Sequence, residues 1–331
     1  MLKYTANQAA GLIANWKSFG ESQDALRNTA GANPIVGNAS TLPRDVWQRF
    51  ETEAVELQRP ILAVFNDLAL TLSEPIDIGE TVNNFLTVSD SGEVNTSLDG
   101  RSDAKGDQAQ FEYHGTPVPI IDTLFTFGWR QMKAAESKGF QLDAASRNNA
   151  TRRIAEKMES IALIGDAKIK VQGNQLYGIT NHPKRSTRTT GQTLNGATGA
   201  QWLADVVATV GLLHAKNFFV APTLYLNYFD WFYASVTDFS TQYPNKTILQ
   251  RLQEIGIASV VPSSSVVAGD LIMVVKSKEV IQVLSGMPPS TIAKFRANVM
   301  DDYQFTRMAA AAVEIRFDAD NNCGIAHSSL A

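Results

Sequence analysis

Between Phe140 and Pro183 the sequence writes one long amphipathic helix that stops at Gly165-Asp166, followed by a polar loop ending in Gly178-Ile179-Thr180-Asn181-His182-Pro183. From Asp143 the apolar positions Ala150, Ile154, Met158 and Ile161 recur every three or four residues, and Arg152, Arg153, Glu156, Lys157 and Glu159 take the other faces. Asp143 suits a cap on the first turn, and Gly165 suits the left-handed residue past the last turn. Roughly 22 residues at about 1.5 Å each span about 33 Å, the width of a small domain. A rod of that length can serve as a backbone on which separate lobes are hung. Nothing in the stretch is catalytic in character.

The chain has 331 residues, 44% hydrophobic and 19% charged, enough for a full core and, at about 150 residues per domain, for two lobes. Lys+Arg at 29 against Asp+Glu at 33 leaves a formal charge of −4, which argues against extensive phosphate neutralisation by the folded surface. The single cysteine, Cys323, can form no intrachain disulfide and has no cysteine partner for a zinc site, so a reducing cytosol is the expected compartment. No apolar run of signal length follows Met1-Leu2-Lys3-Tyr4, and nowhere do about 18 apolar residues stand together. An exported or membrane-spanning chain is not expected.

Ahead of the helix, Ala6 to Ser18 carries Leu12, Ile13 and Trp16 at helical spacing, and Asn28 to Thr41 has the composition of a linker. Pro43 sits where a first helical residue tolerates proline, and Val46, Phe50, Ala54, Leu57, Ile61 and Phe65 then recur as one helical stripe, interrupted at Pro60. Trp47 and Arg49 on this helix are either exposed decoration or contacts with a neighbouring subunit. From Pro75 the period becomes two, with Val82, Phe85-Leu86 and Val88 before a polar run and Phe111 and Tyr113 after it. The run from Ser89 to Gln108 holds Asp90, Glu93, Asp99, Asp103 and Asp107 against Arg101 and Lys105. Two flanking strands make this a long projecting hairpin rather than a structureless loop. Its tip is either a solvated end or an arm lying across another subunit, and the second fits better because such a hairpin stabilises itself poorly alone.

Thr116-Pro117-Val118-Pro119 through Trp129 reads as extended chain with prolines suited to an edge strand. Lys184 to Arg188 and the small residues up to Ala200 read as a crossing between lobes. An inserted α/β lobe follows, with a helical face at Trp202, Val206, Val210 and Leu213 and a short strand at Phe218-Phe219-Val220. Helices are expected at Leu224 to Tyr233, Thr247 to Ile255 and Glu279 to Leu284, and strands at Val260-Val261 and Leu271 to Val275. Thr291 to Ala297 and Tyr303 to Phe317 read as strands that return to the first lobe.

Site chemistry has no foothold in this pattern. His114, His182, His214 and His327 lie far apart without metal-ligand spacing, and His214 fits a helix terminus or the surface. There is no nucleophile elbow, and Gly191, Gly196 and Gly199 lack the lysine and preceding strand of a phosphate loop. Asp318 to Gly324 has its glycine at the wrong position for a calcium loop and reads as a polar turn, as does Asp301-Asp302. No catalytic, cofactor or metal residues are assigned, and no enzyme activity is expected.

In the order helical arm, long hairpin, long helix, inserted α/β lobe and returning strands, the chain resembles the major capsid proteins of tailed bacteriophages, whose HK97-like fold is shared with encapsulin shell proteins. The resemblance covers roughly Pro43 to Ala326. It is carried by Arg152-Arg153-Ile154-Ala155 to Gly165-Asp166, by Leu176-Tyr177-Gly178-Ile179-Thr180-Asn181, by Phe219-Val220-Ala221-Pro222-Thr223-Leu224-Tyr225, and by Thr247-Ile248-Leu249-Gln250-Arg251-Leu252. It implies an α+β fold with an N-terminal arm (1–72) and an extended β-hairpin loop (73–115). A peripheral domain (116–200 and 301–331, with spine helix 143–165) and an inserted axial domain (201–300) complete it. It further implies self-assembly into pentamers and hexamers of an icosahedral head shell around double-stranded DNA bound without sequence specificity. Scaffolding, portal or decoration proteins would be partners, the site of action would be the virion after assembly in the host cytoplasm, and no cofactor or membrane would be involved. The alternative is an encapsulin shell enclosing a cargo enzyme. Inter-subunit contact candidates are Trp47, Arg49, Asp99, Arg101, Asp103, Lys105 and Asp107. Some members cross-link a loop lysine to an asparagine; Lys105 lies in that region, but no partner for it is identifiable. Only about 42 residues precede Pro43, fewer than in the cleaved scaffolding segment of some members, so either a separate scaffolding protein assists or this is the mature product, and an intact Met1 favours an uncleaved chain.

Overall fold

The computed structural model describes residues 10–11, 13–18, 20–21, 62–92, 94, 96–98, 108–138, 142–190, 192–240, 242–298 and 300–330. The chain divides into two compact units, Met1–Leu57 and Gln58–Ala331. In the first, residues 13–18 are helical and carry Ile13 and Trp16 exposed, within the helix expected from Ala6 to Ser18. The helix expected from Pro43 lies outside the described residues up to Ile61.

The second unit opens with α1 (Val64–Leu72), β1 (Ser73–Pro75), β2 (Val82–Val88), β3 (Phe111–Pro117), β4 (Ile120–Phe127), α2 (Trp129–Lys138) and α3 (Leu142–Leu163). Helix α3 is the rod expected from Asp143, and Ala150, Ile154, Met158 and Ile161 are all buried. Ile154, Met158 and Ile161 pack with Ile121 of β4 and with Ala309, Ala311 and Ala312 of β14 (Tyr303–Ile315). Side chains that end at Cβ on β14 let the helix approach the sheet closely. Trp129, expected at the end of an extended stretch, instead opens α2.

Glu159 departs from the polar face expected for it, since it is 1% exposed. Its carboxylate accepts the backbone N–H groups of Ala63 (3.2 Å), Val64 (3.1 Å) and Phe65 (2.8 Å) and the Ser263 hydroxyl (2.9 Å). Ala63 stands at the N-cap of α1 and offers no side-chain oxygen, so the first N–H groups of that helix need an acceptor from elsewhere. A carboxylate at a helix N-terminus also meets the positive end of the macrodipole.

At its other end α3 passes its last carbonyls to a later segment. The Ile179 N–H donates to Ala162 O (2.9 Å) and the Thr180 N–H to Leu163 O (2.8 Å). Gly165 has φ +73°, and a Cβ on Gly178 would lie 2.5 Å from the backbone nitrogens of Ile164 and Gly165. Two glycines therefore allow backbone to press on backbone where the helix ends. The polar loop expected here is a hairpin of β5 (Gly165–Val171) and β6 (Asn174–Tyr177). The expected crossing contains a strand, β7 (Ser186–Thr190), whose parallel partner is β15 (Ile325–Leu330) at the far end of the sequence. Local composition cannot register such a pairing.

The remaining elements are α4 (Gly199–His214), β8 (Thr223–Asn227), α5 (Tyr228–Val236), β9 (Asp238–Ser240), β10 (Tyr243–Thr247), α6 (Ile248–Glu254), β11 (Ser259–Ser263), β12 (Leu271–Val274) and β13 (Ile281–Ala293). Two large sheets result, β1-β13-β14-β4 and β11-β8-β12-β15-β7. Strand β4 is an edge of the first, as its flanking prolines predict. The strand expected at Phe218-Phe219-Val220 is absent, and Phe219 is 71% exposed. Leu224 to Asn227, expected in a helix, belongs to the interior strand β8, with every residue buried. Ile281 to Leu284, also expected as helix, begins β13. Short apolar runs do not distinguish a buried strand from a buried helix, and pairing decides between them.

Replacing Glu159 with alanine is expected to cost about 3 kcal/mol, because three backbone donors and a hydroxyl lose their acceptor in a dry site. Glu159→Gln keeps one acceptor oxygen and costs less. Urea unfolding of unassembled subunits measures both, and an alanine variant as stable as wild type would remove Glu159 from this role.

Candidate functional site

Trp47, Arg49, Asp99, Arg101, Asp103, Lys105 and Asp107 all lie outside the described residues. The stem of the hairpin that bears five of them is described. Strands β2 and β3 pair antiparallel from Val82 opposite Pro117 to Val88 opposite Phe111, and the Ser89 N–H continues the ladder to Gln110 O at 2.9 Å. Phe85 and Thr87 point into the body and are buried. Leu86 and Val88 sit opposite Tyr113 and Phe111, and all four are exposed, Tyr113 by 74%. The period of two thus places an apolar face of the stem in solvent. Further apolar side chains stand out elsewhere: Phe229, Phe232 and Val236 on α5, and Phe295, 94% exposed, between β13 and β14.

The root of the hairpin is held by a buried acid. Glu314 of β14 is fully buried and accepts from Asn83 Nδ2 (2.6 Å), Gln282 Nε2 (2.9 Å) and Arg316 Nε (2.7 Å). Asn83 belongs to β2, so the hairpin is tied to the four-stranded sheet through this carboxylate. On the other strand, Gly115 N–H donates to Asn174 Oδ1 at 3.4 Å. A Cβ on Gly115 would lie 2.5 Å from the Asn174 amide nitrogen, so that side chain would have to move if the glycine were replaced.

Phe317 gathers the aromatic rings of the root. His114 lies 4.6 Å from it, Phe85 5.5 Å and His182 5.8 Å between ring centroids. Tyr177 stands edge-on to His182 at 5.6 Å. Two histidines that are far apart in sequence therefore meet one ring, and no spacing signal could have shown it. His214 is exposed at the end of α4, and His327 pairs with Asp270 at 3.1 Å. Among the described residues no group of three or more His, Cys, Asp or Glu side chains could hold a metal ion. Burial pushes the Cys323 thiol up to about 12, far from a reactive thiolate.

His182 is 6% exposed, and its Nδ1 accepts the Lys184 N–H at 3.3 Å. Burial first, then the positive charges of Arg185 and Lys184, lower its pKa from 6.5 to about 4.

Residues 37–328 match the model of a family described as "Family of unknown function (DUF6260)". The chain belongs to this family. No curated protein matches the DUF6260 chain. Solved structures do. The capsid of Myoviridae phage XM1 superposes with a TM-score of 0.69 at 12% identity, over 87% of this chain and 98% of that one. The capsid of the native GTA particle gives a TM-score of 0.56 at 12% identity, over 89% and 99%. The virus-like particle from Pyrococcus furiosus gives 0.51 at 13% identity, over 76% and 90%. The DUF6260 chain thus has the α+β HK97-like capsid fold.

The unfolded chain takes up the His182 proton near pH 6.5 and the folded chain only near pH 4. Its contribution to stability is therefore complete above pH 6.5 and falls as the pH drops toward 4, by about 3 kcal/mol in all. His182→Gln is expected to flatten this part of the stability profile relative to wild type. Urea midpoints across the window measure it, and parallel profiles would contradict the assignment.

Proposed function

We propose that the protein is the major capsid subunit of a tailed bacteriophage, self-assembling into the icosahedral head shell that encloses the genome. The observation that carries this is the superposition on the phage XM1 capsid over nearly the whole of both chains. The encapsulin reading has a weaker basis, the lower TM-score of the Pyrococcus furiosus particle.

The described surface supports a shell subunit. A stem with an apolar solvent face, a helix with Phe229, Phe232 and Val236 outward and an exposed Phe295 are separate patches on one chain. A subunit that meets neighbours on several sides needs several such patches, each of modest size. Pentamers and hexamers are the assembly we assign, with the hairpin and residues 99–107 lying on a neighbouring copy. Trp47 and Arg49 are assigned to contacts of the arm.

The axial lobe is assigned to residues 201–300 and the peripheral lobe to 116–200 and 301–331; across those bounds, β7 and β15 pair into the sheet of β8 and β12, and β13 into the sheet of β4 and β14. The function is structural rather than enzymatic. Double-stranded DNA would be enclosed without sequence-specific contacts, as the charge of −4 suits. Scaffolding, portal and decoration proteins would be the other partners, and assembly would take place in the host cytoplasm before the shell enters the virion.

Full-length protein, expressed alone or with a scaffolding protein, is expected to form closed particles by negative-stain microscopy. A discrete monomer or dimer under every condition would overturn the reading. Deleting Ser89 to Gln108 is expected to leave the subunit folded and to abolish closed particles, and unchanged particles would remove the hairpin from assembly.

A further inference from the structure

The crossing from β7 into α4 holds the single Asn-Gly pair of the sequence, Asn195-Gly196. Leu194 to Ala197 form a turn closed by the Ala197 N–H on Leu194 O at 3.2 Å, with Gly196 at φ +91°. A left-handed residue at the third position of a turn calls for glycine. Both ends of the turn are anchored in the core. Leu194 is buried and its carbonyl also accepts Trp202 Nε1 at 2.9 Å, and Ala197 is buried and its carbonyl accepts the Tyr233 hydroxyl at 3.1 Å.

The middle of the turn is open to water. Asn195 and Gly196 are exposed, and a Cβ on Gly196 would meet nothing within 4 Å. The Gly196 N–H has no acceptor among the described residues. Bonding that nitrogen to the Asn195 amide carbon closes a five-membered ring, which needs only rotation about backbone and side-chain bonds. A side chain on the following residue hinders the approach, whereas glycine has none and rotates freely. The 3.2 Å bond across the turn opposes the rotation, and an exposed turn held by one such bond opens locally at small cost.

We propose that Asn195 is a self-modification site, converted through a cyclic imide into aspartate and isoaspartate. The Gly196 nitrogen gives its proton to hydroxide and attacks Asn195 Cγ. The N–Cγ bond forms, the Cγ–Nδ2 bond breaks, and the side-chain amide leaves as ammonia after taking a proton back from water. A second water then opens the ring at either carbonyl. Attack at Cγ restores the ordinary linkage as aspartate, and attack at the backbone carbonyl leaves the chain running through Cβ and Cγ as isoaspartate. The balance is one water consumed and one ammonia released, with no oxidant or reductant. Either product adds a negative charge beside the turn. The isoaspartyl form also adds one backbone atom between the anchored Leu194 and Ala197, directly ahead of the Thr198 cap of α4.

The test follows mass in the folded full-length chain, incubated at neutral and at mildly alkaline pH. Trypsin then releases Asn195 on the peptide Thr189 to Lys216, which holds no other asparagine. That peptide is expected to gain the mass of an amide-to-acid exchange, faster in alkali, and to show isoaspartate on electron-transfer fragmentation. Asn217, exposed and followed by Phe218, is expected to keep its amide in the same sample. Asn195→Gln, a change at an exposed side chain, is expected to lose the conversion, because its longer side chain closes the larger ring poorly. A synthetic peptide of residues 192–198 sets the rate for an unrestrained chain. Conversion of that peptide while the folded chain keeps its Asn195 amide overturns the proposal. A mass gain without isoaspartate, or an equal gain at Asn217, overturns it as well.

Discussion

The carboxylate of Glu159 joins three stretches of chain that nothing local would bring together. It projects from α3, receives the first three N–H groups of α1, and is reached by the Ser263 hydroxyl at the end of β11. Those partners lie 94 to 96 residues before it and 104 after it. A buried charge is tolerated only when its oxygens are satisfied, and four donors satisfy this one. The consequence is a fixed angle between the long helix and the helix through which the N-terminal part of the chain enters. Helix α1 then carries its own acid inward, with Asp67 accepting the hydroxyl of buried Tyr225 at 2.7 Å and pairing with Lys276. Val64, Leu68 and Leu72 fill the core between these polar anchors.

A second buried acid does for the hairpin what Glu159 does for α1. Glu314 holds Asn83, and through it the direction in which β2 and β3 leave the body. The two carboxylates belong to the two elements that build the α3–sheet layer, the helix itself and β14. A subunit that tiles a closed shell needs its projecting parts aimed, and buried charge-assisted hydrogen bonds are directional where apolar packing is not. Removing one partner of such a bond is costly, which keeps each arrangement discrete. The solvent-facing apolar stem beyond Glu314 is then free to meet a neighbour without having to stabilise its own root.

Periodicity was a faithful guide where one face of an element is buried and the other is wet. Ala150, Ile154, Met158 and Ile161 are buried as their spacing requires, and Val82 to Val88 alternates as a strand of a hairpin. Thr247 and Gln250 form a capping box at the N-terminus of α6, the Thr247 hydroxyl accepting the Gln250 N–H and the Gln250 side-chain oxygen the Thr247 N–H. Where both faces are buried the signal disappears. Thr223 to Asn227 and Ile281 to Leu284 are buried at every position, Gln282 included, and only the partners of β8 and β13 make them strands. The candidate contact residues were chosen by charge and exposure, whereas the cluster of His114, His182 and Phe317 at the hairpin root has no local signature at all.

The sequence by itself determined the rod, the paired stem of the hairpin and the lack of an intrachain disulfide, because these follow from local period, composition and a single cysteine. Only the tertiary structure decided that Glu159 faces inward and that β7 and β15 complete the second sheet. The physical reason is the same in each case. The free energy of this buried charge and of this strand edge is set by partners more than ninety residues away, and no local window along the chain contains them.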